Sequence, residues 1–185
     1  MLTGGGDIAL VWDVATGEQL LAIRHRKWVR RAVFSPDGSK FATVSGDSKV
    51  RVFESINGQL LLKFRYATIG VGFGTKGLAY NSDGNRLATC VQNSVGIWNT
   101  ATAQLLLRVS HKGVKSATFS PDGARLLTAG GEEAIIWNAL NGAKLLEVRH
   151  PTIPYLSQAT FSPDGTCVAT CGSDGTARIW DVSSI

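Results

Sequence analysis

An aromatic residue followed by an acid or amide recurs along this 185-residue chain, at Trp12-Asp13, Phe53-Glu54, Trp98-Asn99, Trp137-Asn138 and Trp180-Asp181. Successive aromatics stand 41, 45, 39 and 43 residues apart. A unit of that length cannot bury a hydrophobic face alone, so copies must stack, and stacking confines the chain to a repeat architecture. The last copy shows what each one is. Between Ser157 and Asp181 it consists of short apolar runs separated by Pro163-Asp164-Gly165 and Ser173-Asp174-Gly175. Glycine takes positive φ without steric cost and aspartate bonds its own backbone two residues on, so both tripeptides are turns. Short β-prone runs bounded by turns are strands, and the period allows about four per unit.

The register holds at other positions. A threonine lies four residues before each turn acid or amide: Thr3, Thr43, Thr89, Thr128 and Thr170, ahead of Asp7, Asp47, Asn93, Glu132 and Asp174. Thirteen residues after the first four aromatics come His25, Tyr66, His111 and His150; five after come Gly17, Gly58, Ala103 and Gly142. On these residues the chain resembles the WD-repeat (WD40) β-propeller family over essentially its whole length, as a partial set of repeats. The resemblance implies an all-β, incomplete propeller of four to five antiparallel blades. It also implies a buried relay of His, Ser/Thr, Asp and Trp that locks each blade. The full set falls on His150, Thr170, Asp174 and Trp180. The second blade offers His25, Thr43 and Asp47, but Phe53 lacks an indole N–H. The fourth offers His111, Thr128 and Trp137 with Glu132 at the acid position, and the third has Tyr66 and Asn93 beside Thr89 and Trp98. Where the family prefers Gly before its His, this chain has Arg24, Arg65, Ser110 and Arg149.

The expected organisation is one propeller segment over 1–185. It divides into a partial blade (1–26), three blades (27–65, 66–110 and 111–149) and a last blade (150–185) lacking its fourth strand. Strands of the second blade are expected near Ala32–Phe34, Phe41–Val44, Val50–Phe53 and Gln59–Phe64. Seventeen or eighteen strands result. The strand Gln19–Arg24 is a candidate to complete the last blade, but Ile8–Trp12 would compete with Ala177–Trp180. The expectation is therefore a slice of a longer propeller, or a chain completed by other polypeptide, with sticky open edges.

Catalysis is not expected. All three histidines fall on the relay position, leaving none for acid–base work. The channel-lining strands offer Ala32-Val33, Leu78-Ala79, Ala117-Thr118 and Ala159-Thr160, with no convergent carboxylates or Cys–His pair. Asp37, Asp83, Asp122 and Asp164 belong to repeated hairpin turns. The string Gly70-Val-Gly72-Phe-Gly74 lacks the preceding strand and following helix of a phosphate loop. No metal spacing, cofactor motif, signal-peptide core or apolar run of membrane-spanning length occurs. Cys90, Cys167 and Cys171 are odd in number, and Cys90 and Cys171 fill one repeat position on non-adjacent strands. They are expected to be reduced core thiols in a cytoplasmic or other reducing compartment.

What remains is surface. The net charge is +5, and much of it lies between Arg24 and Arg31: Arg24, Arg26, Lys27, Arg30 and Arg31 around Trp28. This stretch is either a solvated rim loop whose Trp28 packs between blades or a patch for phosphates, acidic lipids or acidic peptides. Arg24, Arg65 and Arg149 recur at one position per blade and would place positive charge in an arc on one face. Loops entering the first strands vary in length, whereas the Ser-Pro-Asp-Gly turns barely change. Variable loops on a rigid frame are where binding resides. The expected function is a non-catalytic docking platform for proteins or peptides within a larger assembly. The alternative is nucleic-acid or anionic-lipid binding through Arg24–Arg31, separable by salt dependence.

Overall fold

The computed structural model describes residues 1–66, 77–149 and 155–185. Among them the chain forms eighteen β-strands and no helix. These make five antiparallel sheets, each sheet following the chain in order. The first holds β1 (Leu2–Gly5), β2 (Ile8–Trp12) and β3 (Gln19–Arg24). The second holds β4 (Val29–Phe34), β5 (Lys40–Ser45), β6 (Lys49–Glu54) and β7 (Leu60–Arg65). The third holds β8 (Leu78–Tyr80), β9 (Arg86–Val91), β10 (Ser94–Asn99) and β11 (Leu105–Ser110). The fourth holds β12 (Val114–Phe119), β13 (Arg125–Gly130), β14 (Glu133–Asn138) and β15 (Lys144–Arg149). The fifth holds β16 (Leu156–Phe161), β17 (Cys167–Gly172) and β18 (Ala177–Asp181).

The sheets are blades stacked face to face. Strand β4 packs on β1, β8 on β4, β12 on β8 and β16 on β12. No packing of comparable extent joins β16 to β1 among the described residues, so the five blades form an arc. Strand β3 pairs with β2 inside the first blade and does not complete the fifth. Each gap between blades holds its own apolar cluster. Val11 meets Phe41 and Phe53 in the first; Val44 and Val52 meet Leu87 and Trp98 in the second. Val95 and Ile97 meet Leu126 and Ile135 in the third; Leu127 and Ile136 meet Phe161 and Val168 in the fourth. Alternation explains this. Middle strands such as β5, β10 and β13 are buried on both faces, because the second, third and fourth blades each have a neighbour on either side. They accordingly read as continuous apolar runs rather than as alternating ones.

The turns have the expected chemistry. In the β4–β5, β12–β13 and β16–β17 hairpins, Asp37, Asp122 and Asp164 each accept a serine hydroxyl and the backbone N–H two residues on. Gly17, Gly58 and Gly142 close the turns after the aromatic positions with φ near +74, +72 and +75°. Ala103 holds the same position at +61°, a conformation that costs an L-residue about 1–2 kcal/mol.

Two β-bulges recur. Leu20, Leu61, Leu106 and Leu145 are the extra residues of the outermost strands, where pairing skips one position beside the aromatic. A second bulge opens the innermost strands at Arg30, Lys115 and Ser157. Sequence reading placed the first strand of the second blade near Ala32–Phe34; that strand begins three residues earlier, at Val29. The bulge leaves Arg30 as the extra residue while Val29 and Arg31 pair with β5, which breaks the period-two pattern and is why the basic stretch does not look like a strand.

Candidate interaction face

Antiparallel order places the last residues of β3, β7, β11 and β15 and the first residues of β4, β8, β12 and β16 at one end of the blades. The Asp47, Asn93, Glu132 and Asp174 turns share that end, and the Ser-Pro-Asp-Gly hairpins lie at the other. Beneath this face lie the repeat threonines, buried at Thr43, Thr89, Thr128 and Thr170 and exposed at Thr3. Trp98 donates its indole N–H to Thr89, Trp137 to Thr128 and Trp12 to Thr3, each at 2.8 Å, and Trp180 to Thr170 at 2.9 Å.

In the fourth blade the chain of bonds continues. The Thr128 hydroxyl meets His111 Nδ1 at 2.7 Å, and His111 Nε2 faces the Gly130 carbonyl at 3.2 Å. With Nε2–H donating to that carbonyl, Nδ1 accepts from Thr128, and Thr128 in turn accepts from Trp137. Glu132 is exposed; a backbone carbonyl ends this chain. In the second blade His25 reverses its ring. Nδ1 faces Ile23 O at 3.1 Å and Nε2 meets Thr43 at 2.8 Å. Phe53 replaces the indole and stacks on Phe41 at 5.1 Å, with His25 edge-on at 6.1 Å. Burial lowers the pKa of both histidines, which keeps them neutral. Asp47 is drawn off to Arg51 and Ser45. Burial works against its charge, yet those bonds hold its pKa at about 2. Tyr66 takes the histidine position of the third blade and bonds Ser45 O at 3.4 Å. Asn93 accepts from the Gly113 N–H at 2.9 Å, tying the turn to the next connection. In the fifth blade Asp174 accepts the Thr176 N–H and hydroxyl. His150, the loop to Pro154 and the Gly70–Gly74 string lie outside the described residues.

The basic residues separate into two sets. Arg24, Arg65 and Arg149 end β3, β7 and β15 and are all exposed. Arg24 lies 3.8 Å from Asp7, and Arg149 is held by Glu133 at 2.9 Å and Glu147 at 2.6 Å. The charge of Arg24 and Arg149 is therefore partly cancelled within the blades. Arg26, Lys27 and Trp28 lie in the short β3–β4 connection. Trp28 is 72% exposed, so it does not pack between blades. Its backbone is nonetheless fixed, since the Trp28 carbonyl accepts from Gly46 at 2.9 Å and Val29 N–H donates to Gly6 at 2.7 Å.

Arg31 points elsewhere, onto the concave wall formed by β4, β8, β12 and β16. A cavity of about 630 Å³ lies along this wall. Its floor is Val33, Leu78, Ala79, Ala117 and Ala159, and its polar lining includes Arg31, Lys115, Ser116, Thr118, Ser157 and Gln158. Lys115, Ser157, Gln158 and Tyr155 are the residues that sequence reasoning missed. Superposing the repeats on Val29, Val114 and Leu156 would have found them. Gly77 fits the wall because a Cβ there would overlap Cys90 Sγ. Cys90 itself is buried and its thiol is pushed up to about 12 by that burial. Cys167 and Cys171 are only partly buried, and all three are free thiols. Among the described residues no group of His, Cys, Asp and Glu has metal-holding geometry. No described helix is long and apolar enough to cross a membrane.

Stacked antiparallel blades of three or four strands, four of the five pinned by a tryptophan–threonine bond, define a β-propeller repeat protein. The WD domain, G-beta repeat (WD40) family model matches residues 17–54, 104–138 and 148–181, more than half of the chain. The chain belongs to that family. The unit carrying Tyr66 and Asn93 falls between the matched stretches. WD40 repeats generally serve as protein-interaction scaffolds, and proteins built of them are typically non-catalytic.

Proposed function

We propose that this chain is a non-catalytic docking platform for proteins or peptides within a larger assembly. The observation that carries the reading is Trp28, a large aromatic left 72% exposed on a connection whose backbone is bonded to neighbouring turns. A rigid exposed indole costs little ordering entropy on binding, and tryptophan is enriched among the residues that dominate interface energies. The reduced thiols fit a cytoplasmic or other reducing compartment, with Cys90 sealed in the core. Nucleic-acid or anionic-lipid binding is the second reading, and it uses the same indole among Arg26, Lys27 and Arg30.

The test is a photo-crosslinking amino acid placed at position 28 and, separately, at position 122 on the opposite face. Defined protein adducts from position 28 alone are expected. Each adduct partner, purified, should bind the chain saturably and bind the Trp28→Ala variant at least tenfold more weakly. Adducts shared equally by both positions would overturn the reading. Nucleic-acid adducts with steep salt dependence would favour the rival.

A further inference from the structure

The concave wall has a chemistry of its own, distinct from the exposed loop above it. Each of β4, β12 and β16 begins with a β-bulge, at Arg30, Lys115 and Ser157. A bulge re-aims a side chain that regular alternation would send the other way. Here it turns Lys115 and Ser157 into the cavity, beside Arg31, Ser116 and Gln158 of the same repeat layer. Arg31 and Lys115 are thus two cations on one wall. Neither has a carboxylate within salt-bridge distance among the described residues, unlike Arg24, Arg51 and Arg149. Lys115 is instead held with its ammonium 4.7 Å above the Tyr155 ring.

Tyr155 and Trp28 are repeat equivalents, each one residue before the first residue of an inner strand. Both are exposed, at 55% and 72%. Both are anchored by the same backbone bond, Ser173 N–H to Tyr155 O at 3.0 Å and Gly46 N–H to Trp28 O at 2.9 Å. The fourth blade has Gly113 at this position. Two fixed aromatics therefore stand on the second and fifth blades, with the cation-lined wall running between those blades.

We infer that this wall binds an extended acidic peptide of a partner protein, its carboxylates on Arg31 and Lys115 and its apolar side chains against Trp28 and Tyr155. The inference rests on the docking reading above and names the partner class. Charge decides the sign of the ligand, since the wall carries two cations and no carboxylate. The guanidinium fork of Arg31 matches a carboxylate bidentately. The choice of peptide over nucleic acid follows from the strands. β4, β8, β12 and β16 are the innermost of their sheets, so each turns inward an edge with no partner strand among the described residues. On that edge N–H donors alternate with C=O acceptors, and Ala159 N–H is bonded across to Ser116 Oγ at 3.3 Å. A peptide main chain returns both kinds of bond, whereas a phosphate backbone only accepts. A volume of about 630 Å³ lies within the roughly 300–1,000 Å³ of ligand-binding clefts and excludes a duplex.

The probes are three fluorescein-labelled peptide libraries of equal length, identical except that one position in three is Glu, Gln or Lys, together with a labelled single-stranded oligonucleotide. Anisotropy is measured on the 185-residue chain, on Arg31→Glu, on Lys115→Glu, and on Arg24→Glu as a charge-matched control outside the wall. Far-ultraviolet dichroism and melting confirm that each variant is folded. The Glu library should bind at least tenfold tighter than the Gln library. It should weaken at least tenfold in Arg31→Glu and in Lys115→Glu, and less than twofold in Arg24→Glu. Equal loss in all three variants would mean diffuse attraction to a basic protein and would overturn the site. Equal Glu and Gln binding that is lost when Ala117→Trp fills the wall would overturn the acidic class and leave the docking reading standing. Binding of the oligonucleotide alone would overturn both, as would binding of no probe.

Discussion

A threonine hydroxyl decides how firmly each blade is pinned. Thr128 serves two partners, accepting from Trp137 and donating to His111, whereas Thr43 bonds His25 in a blade where Phe53 stands in place of the indole. Thr128→Val keeps the shape but strands a buried donor and a buried acceptor, at about 1–3 kcal/mol each. Thr43→Val strands one acceptor. Chemical denaturation should therefore show Thr128→Val to cost about 2–4 kcal/mol and Thr43→Val about 1–2 kcal/mol. Equal losses would mean that the hydroxyls matter only as packing volume. The thirteen-residue spacing placed His25 and His111 on the relay without any structure. It could not tell that one uses Nε2 and the other Nδ1 toward threonine, because ring orientation depends on which carbonyl lies behind it. Nor could it tell that Glu132 stays outside while a backbone carbonyl closes the chain of bonds.

At the scale of the element, turn and strand were legible for the same reason. Ser-Pro-Asp-Gly states its own hydrogen bonds, and the middle strands are apolar on both faces. The bulges were not legible, since one inserted residue leaves no composition signature, and they are what send Lys115 and Ser157 into the wall. The turn carboxylates also set a pH response. Asp37 and Asp164 accept serine hydroxyls and backbone N–H groups, which hold both near a pKa of about 2. Unfolded aspartate titrates near 3.9. A depressed folded value means stability that is complete above about pH 4 and lost as pH falls toward about 2. The buried histidines act in a higher window. Their lowered folded values erode stability as pH falls below about 6.5, where the unfolded chain takes up protons first. Melting of Ser162→Ala between pH 7 and pH 2 separates the two. The variant should lose less stability than wild type between pH 4 and pH 2 and an equal amount between pH 7 and pH 5. A loss independent of pH would show that Ser162 supports the Cys167 N–H and not the carboxylate.

The whole molecule is governed by the two faces of a blade. Leu126, Thr128 and Trp137 of the fourth blade turn toward the third, while Leu127, Ala129 and Ile136 turn toward the fifth. Repeat alignment extends this rule to the fifth blade. Val168, Thr170 and Trp180 face the fourth, so Ala169, Cys171 and Ile179 occupy the opposite face. Ile136 is 2% exposed and its repeat equivalent Ile179 is 78% exposed. At the other end of the arc, Trp12 and Leu10 are partly exposed, while Trp137 in the equivalent position is 8% exposed. One open face is thus of the isoleucine type and the other of the tryptophan type, the two halves that meet inside every interior gap. Covering an isoleucine is worth about 1.5–3 kcal/mol. Among the described residues no strand lies beyond β18 in its sheet, which leaves an open edge of the kind that templates further pairing. Unlike faces joined end to end make a heterologous contact, which does not by itself close. The 185-residue chain alone is therefore expected to self-associate, with a light-scattering mass that rises with concentration. Ile179→Lys should lower that mass toward the monomer while leaving the melting of the inner blades unchanged. A wild-type mass that stays monomeric across a hundredfold range of concentration, with β2 and β18 both protected from hydrogen exchange, would show that the two faces are covered within one chain.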